Sequence, residues 1–234
     1  MRMPLVIAVA QPVCAPYDVA ANADAHAATI RAAGARVIVF PELSVTGYHL
    51  DAPVITAEDP RLAPIVSACA ETGSLALVGA PVADEEGSPH ISMLAVDGGG
   101  ALVAYHKLWL GTTEAQRFAP GAKPAVLEVD GWRLGLAICK DMGVPQHASD
   151  TAALGIDVYV GGTLKHADET TLQDERARRV AIEHGVRVAV ASFAGSTGEG
   201  YTSAAGRSGI WSADGSVITQ TGPEPGALTR TTLR

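Results

Sequence analysis

Short apolar runs that alternate with helical stretches are the feature that most limits what this 234-residue chain can fold into. Residues 5–10, 37–40 and 75–79 are continuous apolar runs bounded by turn residues, which is typical of strands buried on both faces. Residues 18–33 and 60–72 lie between these runs and are predicted to be helices, and each is followed by a glycine that suits a left-handed C-terminal cap. The alternation predicts an α/β fold.

The middle of the chain adds antiparallel pairs. Residues 91–96 and 102–105 flank a glycine-rich turn, and residues 125–129 and 132–138 flank an Asp-Gly turn, so each pair is predicted to be a β-hairpin. The remaining predicted elements are a helix at 145–155, a strand at 157–160, a helix at 168–183, a strand at 186–192 and a hairpin of 208–211 and 217–219, with a polar tail after residue 226.

A sheet built from both strand–helix units and hairpins carries helices on one face, so its other face needs a partner sheet. We therefore expect a four-layer αββα sandwich of two mixed β-sheets, formed by a single domain over residues 1–234.

Charge and apolar patterning exclude several classes of function. The formal net charge is −8, and the one basic cluster, residues 176–179, is interpreted as a solvated helix face, so no nucleic-acid partner is expected. No apolar stretch approaches the roughly 18 residues of a membrane span, and the N-terminus turns polar too soon for a signal peptide, so we expect a cytoplasmic protein without membrane contact. The cysteines are far apart, and His147, His166 and His184 lack metal-ligand spacing, so neither a disulfide nor a metal site is predicted.

Three predicted strands end in polar side chains of complementary chemistry. Glu42 and Cys139 follow the predicted strands at 37–40 and 132–138, and Lys107 follows the second strand of the first hairpin. Ligands of open α/β sheets bind beyond the carboxyl ends of strands. A base deprotonates a thiol and a nearby ammonium favours the thiolate, so these groups would make an acyl-transfer site. Taken singly, each also has an ordinary explanation, as a loop carboxylate, a surface lysine or a core thiol.

Short stretches around and beyond these positions form an ordered set. They are FPEL at 40–43, TGY at 46–48, YHK at 105–107, Glu114, Phe118, PG at 120–121, GLAICKD at 135–141, RVAIE at 179–183, GRSGI at 206–210 and DG at 214–215. In this order they resemble the signatures of the nitrilase superfamily of carbon-nitrogen hydrolases. Each stretch is weak alone, but the set extends over nearly the whole chain.

The resemblance implies a catalytic triad of Glu42, Lys107 and Cys139 on an αββα sandwich, with Glu114 as a second glutamate that helps to position the lysine and the substrate. Cys139 would attack a small linear amide, form a thioester acyl-enzyme and release ammonia or an amine, and water would then release a carboxylic acid. The resemblance calls for no cofactor and no metal. Subunits of the superfamily usually pair through their outer helices, so a homodimer or higher homo-oligomer is expected.

The residues after Cys139 bear on the substrate. Nitrilases typically follow this cysteine with Trp-Glu, whereas Lys140 and Asp141 follow it here, so an amide is favoured over a nitrile. The alternatives are a nitrilase, an N-carbamoyl hydrolase, or a non-catalytic binding protein on the same fold. Lys140 either recognises a substrate carboxylate, or contributes only its backbone N–H while its side chain pairs with Asp141 or a surface acid.

Residues beside the motifs are the remaining candidates for the pocket wall. Tyr48, Trp109 and Phe118 lie next to the predicted triad, and Lys165 and His166 follow the predicted strand at 157–160. Tyr48, Trp109 and His166 are predicted to bind substrate together with Lys140, because pockets are commonly lined with aromatic groups. An aromatic side chain near a motif also often belongs to the core.

Overall fold

The computed structural model describes residues 2–234, which form fourteen strands and four α-helices. The helices are α1 (Val19–Ala33), α2 (Ala63–Thr72), α3 (Pro145–Ala153) and α4 (Thr170–His184). The strands are β1 (Leu5–Gln11), β2 (Val37–Val39), β3 (Leu75–Ala83), β4 (Pro89–Asp97), β5 (Gly100–His106), β6 (Val126–Val129), β7 (Trp132–Ile138), β8 (Val158–Thr163), β9 (Arg187–Ser192), β10 (Ala194–Gly195), β11 (Ala204–Ala205), β12 (Gly209–Trp211), β13 (Val217–Gln220) and β14 (Ala227–Leu233).

Two six-stranded mixed sheets form the centre of the molecule. Their strand orders are β14-β1-β2-β3-β4-β5 and β13-β12-β9-β8-β7-β6. In the first sheet β1, β2 and β3 are parallel and are joined through α1 and α2. In the second, β7, β8 and β9 are parallel and are joined through α3 and α4. The predicted mixture of strand–helix units and hairpins is therefore repeated in both halves of the chain.

Side chains alternate between the two faces of the central strands and so separate the layers. In β1, Leu5 and Ile7 lie in a core between the two sheets, whereas Ala8 packs in a second core with α1 and α2. In β7, Leu136 belongs to the core between the sheets and Ala137 to a third core with α3 and α4. Three apolar layers between four layers of backbone make the αββα sandwich, and the fold prediction is confirmed.

The helix boundaries follow the capping residues. Asp18 precedes α1 and its carboxylate accepts the backbone N–H of Ala21 at 3.0 Å, which satisfies one of the free donors of the first turn. Gly34 and Gly73 end α1 and α2 with φ angles of +54° and +67°. Within residues 2–234, no helix combines the length and the apolar character that crossing a membrane requires.

The C-terminal segment corrects the sequence prediction. Instead of a polar tail, Ala227–Leu233 forms β14, which pairs antiparallel with β1 along its full length. The segment has only a faint apolar pattern, because most of its side chains are partly exposed. Backbone pairing with an otherwise free sheet edge, together with the burial of Leu233, makes it a strand. Arg230 donates from this strand to the carbonyl groups of Ala33, the last residue of α1, and of Gly34, which follows it.

Candidate active site

Cys139 lies where β7 leaves the sheet. It begins a short 3-10 helix, Cys139–Gly143, and its own φ angle is +45°, a left-handed value that is uncommon for a residue with a Cβ atom. The thiol lies 3.4 Å from the carbonyl oxygen of Leu164, which follows β8. Backbone strain of this kind is often found where the surrounding structure fixes a functional side chain. The turn therefore presents the thiol at the carboxyl ends of β7 and β8.

Asp141 holds the turn at Cys139 in place through hydrogen bonds. Its side chain is fully buried and accepts three hydrogen bonds, from the N–H of Ile138 at 2.9 Å, the N–H of Trp109 at 2.9 Å and the hydroxyl of Tyr105 at 2.7 Å. Because Tyr105 belongs to β5, this carboxylate ties the turn of the second sheet to the strand that leads into Lys107 in the first sheet.

A buried histidine, His147, contacts the same tyrosine that donates to Asp141. His147 Nε2 lies 2.8 Å from the hydroxyl of Tyr105, and its Nδ1 lies 2.7 Å from the hydroxyl of Tyr159. Burial lowers the pKa of His147, so the neutral ring bridges the two tyrosines. We call the four residues Asp141, Tyr105, His147 and Tyr159 the Asp141 network.

Lys107 is enclosed by two carboxylates. Its Nζ donates to Glu42 Oε1 at 2.6 Å and to Glu114 Oε1 and Oε2 at 2.7 and 2.8 Å, and its side chain is 1% exposed. Burial alone would lower the pKa of this ammonium, but the neighbouring charges, Glu42 foremost, raise it above its ordinary value. Lys107 therefore stays charged. We call Glu42, Lys107 and Glu114 the carboxylate-lysine cluster.

Glu42 has one oxygen that is not used inside the protein. Its Oε1 accepts from Lys107, whereas its buried Oε2 has no hydrogen-bond partner among residues 2–234. Burial raises the pKa of this carboxyl from 4.5 to about 7, although the charge of Lys107 opposes the shift. An unsatisfied buried oxygen with a pKa near neutrality is suited to accept a proton.

The loop that carries Glu42 is wedged between the two sheets. A Cβ atom on Gly79 of β3 would lie 2.4 Å from the backbone of Leu43 and Pro41, and one on Gly162 of β8 would lie 2.7 Å from the carbonyl oxygen of Phe40. Such distances are too short for any side chain. Glycine at both positions therefore lets one strand of each sheet approach the backbone of the loop, which places Glu42 near the end of β7.

Glu114 is held by neighbours that do not depend on Lys107. Its carboxylate accepts the N–H of Gly111 at 2.6 Å and the hydroxyl of Tyr48 at 3.0 Å. Burial would raise its pKa, but Lys107 and these donors lower it, so Glu114 is ionised at neutral pH. The pKa of the Cys139 thiol, in contrast, is raised to about 11 by burial and by the charge of Glu42, against the opposing effect of Lys107. Cys139 is therefore a neutral thiol that needs a base.

A cavity of about 470 Å³ opens above these groups. Its walls include Lys107, Glu114 and Cys139, and three of the four predicted substrate-binding residues: Tyr48, Lys140 and His166. Its remaining charged or aromatic wall residues are Lys165, Arg176, Glu199 and Tyr201. A larger groove of about 720 Å³ contains neither the cluster nor the thiol. Because chemistry needs convergent polar groups, the smaller cavity is the candidate site.

Two predicted pocket residues lie elsewhere. The side chain of Trp109 is 44% exposed and lies outside the cavity wall, while its backbone N–H serves Asp141. Phe118 is buried in the core between the sheets. Lys140 contacts neither Asp141 nor a surface acid, since its Nζ donates to the carbonyl oxygen of Leu110 at 2.6 Å. The aromatic ring that faces the cavity beside His166 is Tyr201, which stacks on it at 4.0 Å.

The segments after β8 and β9 supply wall residues that sequence analysis missed or misread. Arg176 was assigned to a solvated face, yet it is partly buried and lines the cavity. Glu199 also reaches the rim, where it lies with His49 and Asp51 in a group whose possible ligand atoms are within 4.8 Å of one another. No sequence spacing indicated this group, because its members are brought together by two separate loops.

Comparison with known proteins identifies the family to which the chain belongs. Residues 6–232 match the family model described as carbon-nitrogen hydrolase. The chain belongs to the carbon-nitrogen hydrolase family. The predicted resemblance to the nitrilase superfamily is therefore confirmed. Among curated relatives, a hydrolase of Pseudomonas protegens is 29% identical over 88% of this chain and 75% of its own length. A nitrilase of Bradyrhizobium diazoefficiens is 26% identical over 69% of this chain and 59% of its own length.

Solved structures agree with the carbon-nitrogen hydrolase fold. A CN-hydrolase superfamily protein of Xanthomonas campestris has a TM-score of 0.89 at 20% identity, covering 99% of this chain and 91% of the other, which shows the shared fold. An amidase of Nesterenkonia sp. has a TM-score of 0.86 at 28% identity, covering 98% of this chain and 90% of the other. Structures of mutants of that amidase include a complex with butyramide and a covalent addition of the acetamide moiety of fluoroacetamide at the active-site cysteine.

Proposed function

We propose that this carbon-nitrogen hydrolase cleaves the C–N bond of a small linear amide through a thioester on Cys139. The observation that carries the proposal is the free Oε2 of Glu42, a buried base whose other oxygen is bound to Lys107 and whose charge acts on the Cys139 thiol. Lys107 and Cys139 both line one cavity, and Glu42 lies buried behind Lys107. The butyramide complex of the similar Nesterenkonia amidase supports a small amide as the substrate.

Acylation would begin with proton transfer from the thiol to Glu42 as Cys139 Sγ attacks the amide carbon. The negative charge that develops on the amide oxygen would be stabilised by Lys107 Nζ and by the backbone N–H of Lys140, which lies in the first turn of a 3-10 helix and has no partner within that helix. Collapse of the tetrahedral intermediate would break the C–N bond. The leaving amine would take the proton from Glu42, which returns the base to its ionised form.

Deacylation would use the same groups. Glu42 would accept a proton from a water molecule as its oxygen attacks the thioester, and Lys107 would again stabilise the oxyanion. The C–S bond would break, the Cys139 sulfur would take the proton back from Glu42, which becomes ionised again, and a carboxylic acid would leave. Every proton transfer and every charge in this sequence is handled by residues of the chain, so the proposed reaction calls for no cofactor.

Measurement of ammonia release from a panel of aliphatic amides, N-carbamoyl compounds and nitriles tests the proposal. We expect amides to be hydrolysed best, and Cys139→Ala to reduce turnover to background while its circular dichroism spectrum is unchanged. Cys69→Ala is the matched control, because Cys69 is a buried thiol packed between the first sheet and its helices, away from the cavity. Hydrolysis that persists in Cys139→Ala would refute the thiol mechanism, and a preference for nitriles would reassign the substrate.

Self-association stays a prediction. The outer helix layer exposes Leu154, which follows α3, and Ile182 of α4, with 43% and 56% of their surfaces accessible. We propose that a second copy of the chain covers these apolar side chains, as expected from the resemblance to the superfamily. Light scattering at several protein concentrations checks this, and a mass equal to one chain at all of them would contradict it.

A further inference from the structure

Two cations in the candidate site have no partner among residues 2–234. Lys165 and Arg176 are both partly buried in the wall of the cavity. Neither side chain donates a hydrogen bond within the described part of the chain, and neither lies within 4.0 Å of a carboxylate there, although nine lysine–carboxylate or arginine–carboxylate pairs occur among the same residues. The other cations of the cavity are occupied, Lys107 by two carboxylates and Lys140 by the carbonyl oxygen of Leu110.

Both cations lie close to the Cys139 turn. Lys165 follows Leu164, whose carbonyl oxygen contacts Cys139 Sγ. The guanidinium of Arg176, on α4, packs against Gly143 at the end of the Cys139 turn, where a Cβ atom would lie 2.8 Å from Cζ. A second, smaller pocket is bounded by Cys139, Met142, Thr163, Lys165, Gln173 and Arg176. Cys139 and both cations therefore line the same two pockets.

Activation of the thiol does not account for this arrangement. The charge of Lys165 does lower the pKa of Cys139, but the pKa still ends near 11 because burial and Glu42 dominate. Two like charges that share a partly enclosed wall repel each other, and each has lost part of its hydration. Proteins that hold lysine and arginine in this way use them to bind carboxylates and other anions, because charge-assisted hydrogen bonds then replace the lost water.

We propose that Lys165 and Arg176 form an anion subsite, so that the amide hydrolysed here carries a carboxylate. The claim that the substrate is a carboxylate-bearing amide rests on the proposed function, whereas the existence of the anion subsite does not. The proposal also moves the carboxylate-binding role that sequence analysis offered to Lys140 onto two other residues of the cavity wall. The carboxylate belongs either to the acyl part, as in the monoamide of a short dicarboxylic acid, or to the leaving amine, as in an N-acyl amino acid.

Alkylation of Cys139 tests the subsite without any hydrolysis. Iodoacetate and iodoacetamide are nearly the same size, but only iodoacetate is an anion, and peptide mapping reports the rate at Cys139 alone. Relative to glutathione, we expect the ratio of the iodoacetate rate to the iodoacetamide rate to be about tenfold higher in the wild type, and to fall to the glutathione value in Lys165→Gln/Arg176→Gln. Any change in the thiol pKa affects both reagents and cancels in the ratio.

Arg178→Gln is the matched control, because Arg178 is an exposed arginine on the same helix and is absent from the cavity wall. It should leave the ratio within about twofold of the wild type, whereas Arg176→Lys should keep most of the preference for the anion. If the double variant does not fold, the single variants Lys165→Gln and Arg176→Gln each replace it. A wild-type ratio equal to that of glutathione, or a ratio that does not change in the variants, would overturn the subsite.

Turnover of matched amides identifies where the carboxylate lies. Glutaramate, N-acetylglycine and N-carbamoylglycine are compared with pentanamide, which lacks a carboxylate. We expect one of the anionic compounds to be favoured over pentanamide, and the ratio of its kcat/KM to that of pentanamide to fall about 10- to 100-fold in the double variant. Any effect of the lost Lys165 charge on the thiol acts on both substrates and cancels in this ratio. A selective alkylation ratio without hydrolysis of any amide would refute the proposed function and leave the subsite. Hydrolysis of amides without a preference for iodoacetate or for the anionic amides would refute the subsite and leave the proposed function.

Discussion

Two buried polar clusters flank the Cys139 turn, and they differ in whether every atom has a partner. In the Asp141 network, the carboxylate accepts three hydrogen bonds and both ring nitrogens of His147 are bonded. In the carboxylate-lysine cluster, Oε2 of Glu42 has no partner among residues 2–234. We call the Asp141 network closed, because its carboxylate and ring nitrogens are all hydrogen-bonded. We call the carboxylate-lysine cluster open, because one carboxylate oxygen remains available to accept a proton.

The difference indicates a division of tasks. A fully bonded network fixes geometry, because each member restrains the others and none gains by moving. An unpartnered buried carboxylate oxygen lowers the stability of the fold. The same burial raises the pKa of the carboxyl towards neutrality, and a carboxyl with such a pKa is suited to proton transfer. Disturbing the open cluster should therefore remove chemistry, whereas disturbing the closed one should mainly loosen the turn that holds the thiol.

The largest effect is expected from Lys107→Met, which leaves two buried carboxylates facing each other without a cation. We expect the free energy of unfolding to fall by about 3–5 kcal/mol and hydrolysis to drop to background. Urea denaturation and ammonia release measure the two effects. Lys123→Met is the control, since Lys123 is an exposed lysine outside the cavity, and it should change neither quantity. A stable and active Lys107→Met variant would show that the cluster is not the catalytic one.

Glu42 sets the pH dependence that we expect for the open cluster. Its carboxyl can accept the thiol proton only when it is ionised, and its pKa is raised from 4.5 to about 7. The kcat/KM for an amide should therefore be constant above neutrality and fall about tenfold for each pH unit below it. Glu42→Gln should abolish hydrolysis with the fold retained. An acid limb near the ordinary carboxyl pKa would mean that another group is the base.

A smaller effect is expected from Asp141→Asn in the closed network. The amide nitrogen cannot accept a hydrogen bond, so at least one of the three donors to Asp141 loses its acceptor, at a cost of about 1–3 kcal/mol in the free energy of unfolding. The Cys139 turn should loosen and kcat/KM fall about tenfold, with the acid limb of the pH profile unmoved because Glu42 is untouched. Asp150→Asn, an exposed site on α3, should have no such effect. A shifted acid limb would contradict a purely positioning role.

The sequence indicated the positions of Glu42, Lys107 and Cys139, because polar residues at the ends of apolar strands stand out against a simple pattern. Only the resemblance to the nitrilase superfamily associated Glu114 with Lys107, since Glu114 lies in a short 3-10 turn that has no periodic pattern of its own. Arg176 was misread for a related reason. The sequence of a polar helix with several arginines does not show which of them packs against Gly143. Arg176 has this position only because α4 packs against the Cys139 turn.

The strand β14 was missed for a different physical reason. Its side chains are mostly half exposed, so neither apolar alternation nor a turn sequence distinguishes it from a tail. Its conformation is determined by the free backbone groups of β1, which are far away in sequence. The fold class was predictable because it depends on local patterns, whereas this edge strand and the cavity wall depend on which distant elements meet.

Gly79 and Gly162 carry a consequence for how the protein acquires reactivity as it folds. The loop with Glu42 is seated between one strand of each sheet, while Lys107 comes from the first sheet and Cys139 from the second. A chain in which only one sheet has formed would therefore hold either Lys107 or Cys139 in its native position, but not both. Under the proposed mechanism, hydrolysis would then begin only when the two sheets have packed together and the core between them is complete.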